Sequence, residues 1–198
     1  MTNGSATEYF AVLDVETNWN NRVMSVGVVI ANMRTFEAVN CAYYILNPEC
    51  LVGGMYSSAL GMAGDELTTV CSRDDMIADM RNLFSKYSVC NVFAYNAGFD
   101  YGCLPELSCY TWHDIMRISA YRQYNNKIPH YAECYSTGRL RRGGVESVMR
   151  LITGQPSYNE THNALIDAVD ELQIMRIVAY PVADYPIYLP KSARNGVQ

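Results

Sequence analysis

The sequence predicts an α/β layer fold, a mixed sheet covered by helices. Three observations predict it. Three strand-like runs with short connections follow one another before residue 47, the second nearly all apolar and β-branched and the third alternating less cleanly. Two further short apolar runs, 90–95 and 111–112, alternate with segments whose apolar residues recur at helical spacing. The last helical segment, Ala164 to about Val178, is followed by Pro181, Pro186 and Pro190, which break regular structure.

Each element has its own signal. Tyr9 to Val15 reads as a strand through Phe10, Val12 and Leu13. Val23 to Ala31 is a second strand, nearly all apolar, with Gly27 inside it. Phe36 to Leu46 is a third, ending at Asn47-Pro48, so the first three strands form an antiparallel meander. Residues 49 to 70 are rich in Gly, Ser and Thr and read as loop with at most one short helix. Ser72 and Asp75 form a capping-box-like start. Met76, Ile77, Met80, Leu83, Phe84 and Tyr87 then follow at amphipathic helical spacing. Cys90 to Tyr95 is a buried strand. Thr111 and Trp112 end another, with Asp114 capping the helix after it. Residues 121 to 144 are irregular, holding Tyr121, Tyr124, Tyr131, Tyr135, Pro129 and the cluster Arg139, Arg141, Arg142. Val145 to Ile152 is a helix that stops at Gly154. In the last helix Leu165, Ala168, Leu172 and Met175 share one face. The expected organisation is one domain over residues 1–180 and a C-terminal tail over 181–198, with no internal repeat and no interdomain linker.

Composition bounds the function. At 198 residues and 49% hydrophobic, the chain can bury a single-domain core. A net charge of −5 argues against a protein that coats duplex nucleic acid, though bound cations reverse the sign at an acidic site. Fifteen residues are Lys or Arg; three are Lys (86, 127 and 191), leaving 12 Arg, the type suited to bidentate phosphate contacts. The seven cysteines, an odd number, include no Cys-x-x-Cys, which disfavours a zinc site or a disulfide framework. Reduced thiols in a cytoplasmic protein are the expected state. The polar start Met1-Thr2-Asn3-Gly4-Ser5 is not that of a signal peptide, and no run reaches the ~18 apolar residues of a membrane span.

Three segments carry the chemistry. Asp14 and Glu16 are two residues apart at a strand end, so their side chains share a face while Val15 enters the core. Asp100 follows a second apolar run through Asn96 and Gly98. His162 and Asp167 are spaced five residues apart, more than one helical turn. They meet only if His162 lies at or before the start of the last helix and Asp167 points inward from it. Thr161 and Asn163 are competent caps for such a start. Four carboxylates and one imidazole are the inventory for holding two divalent metals and activating water against a phosphodiester.

These motifs resemble those of the DEDD 3′–5′ exonuclease superfamily, in its histidine (DEDDh) branch, which includes proofreading exonucleases, oligoribonuclease and RNase T. Asp-x-Glu-Thr matches Asp14, Glu16 and Thr17. Asn-x-x-Phe-Asp matches Asn96, Phe99 and Asp100. His-x-Ala-x-x-Asp-Ala matches His162, Ala164, Asp167 and Ala168. The sister branch places Tyr four residues before the last Asp, where this chain has Asn163.

The resemblance implies an RNase H-like fold, a five-stranded mixed sheet with helices on both faces. It implies a hydrolase that releases nucleoside 5′-monophosphates from the 3′ end of single-stranded DNA or RNA, with two Mg²⁺ or Mn²⁺ per site. Asp14, Glu16, Asp100 and Asp167 are then the metal ligands, Asp100 acting through water, and His162 the general base. Thr17 would donate to the terminal nucleotide, with Asn96 and Phe99 beside it. Trp19 is either a stacking platform for the end base or a core or loop anchor. Arg139, Arg141 and Arg142 either contact upstream phosphates or form a solvated loop. Two positions depart from the family pattern: Asn18-Trp19 stand where Thr-Gly often follows the first motif, and Tyr95 stands where His often precedes the second. A homodimer, a polymerase or other protein held through the tail, and a non-catalytic binding module on the same fold are the alternatives carried forward.

Overall fold

The computed structural model describes residues 8–190. Six strands form one mixed sheet, ordered across it as Thr68–Cys71, Ala38–Leu46, Val23–Asn32, Tyr9–Thr17, Asn91–Ala94 and Thr111–Asp114. The meander is β1 (Tyr9–Thr17), β2 (Val23–Asn32) and β3 (Ala38–Leu46), paired antiparallel. β5 (Asn91–Ala94) runs parallel to β1, and β6 (Thr111–Asp114) runs parallel to β5. The sixth strand is β4 (Thr68–Cys71), parallel to β3 at the sheet edge. It lies inside the stretch 49–70, read from sequence as loop. Four residues, only half-buried, carry too little alternation to declare a strand. The rest of that stretch coils through three short 3₁₀ turns between Glu49 and Leu67. β3 also starts later than expected. Phe36 has φ +57° and belongs to a turn in which the Asn32 side chain accepts the N–H groups of Arg34 and Thr35.

Helices cover both faces. α1 (Arg73–Lys86) is capped by Ser72, whose hydroxyl accepts the Asp75 N–H at 3.2 Å. It buries Met76, Ile77, Met80 and Phe84 against Leu13, Val26, Val28 and Trp112. On the other face α4 (Val145–Thr153) and α5 (Ala164–Val178) pack over Phe10, Val12, Val29 and Phe93. Gly154 ends α4 in the left-handed conformation. α2 (Gly98–Cys103) and α3 (Met116–Ser119) are short and follow β5 and β6. Among the described residues no helix is long and apolar enough to cross a membrane.

The segment after α5 is not loose as far as Pro190. Val182 and Tyr185 are buried, Tyr188 N–H donates to the Trp112 carbonyl at 2.7 Å, and His113 Nδ1 lies 3.0 Å from the Tyr185 carbonyl oxygen. These contacts lay the proline-rich stretch along β6. Residues 191–198 of the expected tail lie outside the described residues.

Candidate functional site

β1 and α5 build the centre of the site. Ala11, Leu13 and Val15 enter the core under α1, so alternation turns Phe10, Val12, Asp14 and Glu16 to the α5 face. Opposite Asp14 on β2 stands Gly27. A Cβ there would lie 2.2 Å from backbone atoms of Ala164 and Leu165, so the first turn of α5 rests directly on the sheet. Asn163 caps α5: its Oδ1 accepts the N–H groups of Leu165 and Ile166, while its Nδ2 donates to the Tyr43 hydroxyl and the Ala59 carbonyl. His162 precedes the cap at φ +57°, and Asp167 lies in the first turn. This resolves the five-residue spacing. Ligating atoms of Glu16, His162 and Asp167 all lie within 4.8 Å of one another.

Asp100 arrives from the opposite side, on α2. The turn before α2 contains Asn96 at φ +63°. Two buried carboxylates hold it. Glu171, on α5, accepts the Tyr95 N–H at 3.1 Å. Asp114, at the end of β6, accepts the Asn96 N–H at 3.1 Å and the Met116 N–H at 3.0 Å.

The electrostatics of the cluster follow from burial and like charge. Burial first, then Asp100, Glu16, Asp167 and Glu160, raises the Asp14 carboxyl well above its ordinary value. Glu16 is pushed up to about 8 by burial and by Asp167, Glu160 and Asp100. Burial, then Glu160 and Asp170, takes Asp167 to about 7 against the opposing backbone of His162 and Thr161. Burial also raises Asp100, with backbone hydrogen bonds from Asp100 and Val15 opposing and Asp114 adding. His162 moves the other way: burial lowers it below 6.5, partly offset by Glu146, so the imidazole is neutral near pH 7.

Asp14 Oδ2, Asp100 Oδ1 and Asp167 Oδ1 are buried without a hydrogen-bond partner. Such oxygens are costly unless something else satisfies them. A hard divalent cation fits this all-carboxylate set, because it takes oxygen donors and offsets the mutual repulsion.

The expected substrate residues are distributed around this centre. Thr17 follows a register shift at the end of β1. Trp19 is 64% exposed, and its backbone N–H donates to the Gly53 carbonyl at 3.0 Å. Phe99 is also exposed. Asn96 lines a cavity of about 600 Å³ together with Gly98, Tyr121, Tyr124, Arg139 and Tyr188. Arg139 is thus brought beside the second motif, whereas Arg141 and Arg142 do not line that cavity; Arg141 lies over the Tyr135 ring.

Several residues of this neighbourhood lie outside the three motifs. Glu171 sits four residues after Asp167, a spacing that signals one helix face. Glu160 is two residues before His162 and is itself raised to about 7 by burial, Glu146 and Asp170. Tyr56 stacks on the His162 ring, centroids 3.8 Å apart and planes 14° from parallel. It comes from the weakly patterned 49–70 stretch, where no periodicity marks it.

Compared by sequence, the chain matches no protein-family model and no curated protein. Compared by structure, it is similar to the nuclease domain of 3′hExo, a DEDDh family member, bound to rAMP. The TM-score is 0.62 at 14% identity, over 93% of this chain and 98% of that one. A full-length 3′-exonuclease gives 0.63 at 14% identity, over 96% and 90%. Exonuclease I of E. coli, in complex with a 5cy-dT13 oligonucleotide, gives 0.55 at 12% identity. That match covers 87% of this chain but 40% of the other, so the chain spans less than half of Exonuclease I. At these identities the likeness is one of fold: the chain has the RNase H-like fold of the DEDDh 3′-exonucleases, with six strands where five were expected.

Proposed function

We propose that the protein is a metal-dependent 3′–5′ exonuclease that hydrolyses the terminal phosphodiester of single-stranded DNA or RNA and releases nucleoside 5′-monophosphates. One observation carries this reading. Ligating atoms of Glu16, His162 and Asp167 lie within 4.8 Å of one another, and Asp14, Asp100 and Asp167 each bury a carboxylate oxygen without a partner, on a fold shared with 3′-exonucleases.

Asp14, Glu16, Asp100 and Asp167 would hold two Mg²⁺ or Mn²⁺ ions, which acidify a bound water and neutralise charge on the phosphate. His162 accepts the proton of the attacking water, which requires the neutral ring that its burial favours. Thr17 donates to the terminal nucleotide at the end of β1. Trp19 and Phe99, both exposed beside carboxylate-bearing elements, offer stacking surfaces for bases. Asn96 and Arg139 share a cavity that would take the nucleotides upstream, with Arg141 and Arg142 at the surface beyond.

Among the similar structures, one binds a DNA oligonucleotide and another is a 3′-exonuclease that recognises a histone mRNA stem-loop. Either polymer suits this chain's chemistry, because discrimination rests on contacts to the 2′-hydroxyl. Matched DNA and RNA oligonucleotides labelled at the 5′ end test the reading. A ladder shortening from the 3′ end with Mg²⁺ or Mn²⁺ is expected for at least one of them. Intact substrate in both, or a product lost from the 5′ end, would contradict it.

A further inference from the structure

The segment between β3 and β4 folds back over the catalytic centre and is fastened there at three points. Asn18 Nδ2 donates to the Glu49 carbonyl at 2.9 Å. Trp19 N–H donates to the Gly53 carbonyl at 3.0 Å. Asn163 Nδ2, from the cap of α5, donates to the Ala59 carbonyl at 2.8 Å. Asn18 and Asn163 are both buried, and the Asn163 bond is shielded from water. The approach is close: a Cβ on Gly54 would lie 2.8 Å from the Thr17 carbonyl oxygen. Two of the three anchors, Asn18 and Trp19, are the residues that depart from the Thr-Gly usual after the first motif.

Tyr56 projects between these anchors. Its ring lies flat on the His162 imidazole at 3.8 Å. Its hydroxyl feels the charges of Glu16, Glu160 and Asp167, which, after burial, raise its pKa. His162 needs such support. It stands outside regular structure, at a positive φ unusual for a residue with a Cβ, in the residues leading into α5. A base that must take a proton from one water loses rate steeply when its ring can swing.

We propose that Tyr56 is a positioning residue for the general base, its ring holding the His162 imidazole over the carboxylates. The segment 49–63 is then a clamp whose catalytic purpose is the fixed orientation of one side chain. This rests on the proposed hydrolase reading, in which His162 takes the proton of the attacking water.

The test is a double-mutant cycle on the full chain, read with Mn²⁺ and a 5′-labelled oligonucleotide. Tyr56→Ala should lower kcat by about tenfold, the order expected from losing one ring-on-ring contact, with KM nearly unchanged. Tyr56→Phe, which keeps the ring, should remain within about twofold of the parent. In a His162→Ala background, Tyr56→Ala should cost nothing more, because the group it positions is gone.

The stack has a readout independent of activity. In metal-free protein the His162 ring protons should show an upfield ring-current shift, present in Tyr56→Phe and lost in Tyr56→Ala. Losses that multiply between Tyr56→Ala and His162→Ala, or a Tyr56→Phe as slow as Tyr56→Ala, would overturn the proposal. Full turnover in His162→Ala alone would instead overturn the general-base reading beneath it, and with it the proposal, whatever the ring-current shift shows.

Discussion

Gly27 and Ala164 meet backbone to backbone: a Cβ on Gly27 would lie 2.2 Å from the Ala164 carbonyl carbon. This contact sets how far the start of α5 stands from β1, and so the separation of Asp167 from Asp14 and Glu16. Gly27→Ala should push α5 away, at the upper end of the ~1–3 kcal/mol typical of overpacking or beyond it. Activity should fall more than stability alone explains, because the proposed metal ligands would be drawn apart. Denaturant melts and turnover measured together check this. A variant with parent stability and parent rate would show that the contact does not set the site.

The metal-free protein should lose stability as pH rises. Glu16 is held at about 8 in the fold against an ordinary 4.5, and Asp167 at about 7 against 3.8. A folded-state pKa above the unfolded one favours the protonated fold. That stabilisation is complete below the unfolded pKa values and is lost as pH climbs through about 7 to 8. The melting temperature in chelator should therefore fall between pH 5.5 and 8.5, and Mg²⁺ or Mn²⁺ should restore it most at the alkaline end. A melting temperature that rises over this window in chelator would contradict the clustered-carboxylate account.

Asp14→Asn removes the most crowded charge, a carboxyl acted on by four other acids. At pH 8 in chelator it should melt higher than the parent, by roughly 2–4 °C for each kcal/mol of repulsion relieved. It should also lose the stabilisation that divalent cations give the parent. A clear drop in metal-free melting temperature would mean that Asp14 is a structural residue rather than a ligand.

The sheet meander and the three motifs were legible because each rests on a strong local signal. Phe10, Val12 and Leu13 mark a strand, Ser72 and Asp75 a cap, and the paired Asp14 and Glu16 follow from alternation. What stayed hidden depends on distant partners. β4 exists because β3 offers it an edge, not because Thr68–Cys71 alternates. Tyr56 reaches His162 through anchors at Asn18, Trp19 and Asn163, which are far from it in sequence. The stretch from Val182 to Tyr188 reads as tail because of its prolines, yet its backbone pairs with β6. Asp114 was expected as a cap, and it does accept the Met116 N–H. Its second task, holding the Asn96 turn, needed the fold to be seen.

His162→Ala should lower turnover by about 10²–10⁴-fold while divalent-cation binding persists. The ring lies close enough to Glu16 and Asp167 to share an ion with them. Calorimetric titration of Mn²⁺ therefore decides between base and ligand. Affinity like that of the parent supports the base. A loss equal to that of Asp167→Asn would make His162 a metal ligand.

The proposed metal centre is held by carboxylates and cleaves the last phosphodiester of a strand. Its most direct measurement is the release of nucleoside 5′-monophosphate from a single-stranded oligonucleotide, compared for the parent in Mn²⁺, the parent in chelator, and Asp100→Asn in Mn²⁺. Steady release of mononucleotide is expected in the first and none above background in the other two. Release that persists in chelator, or in Asp100→Asn at the parent's rate, would contradict it.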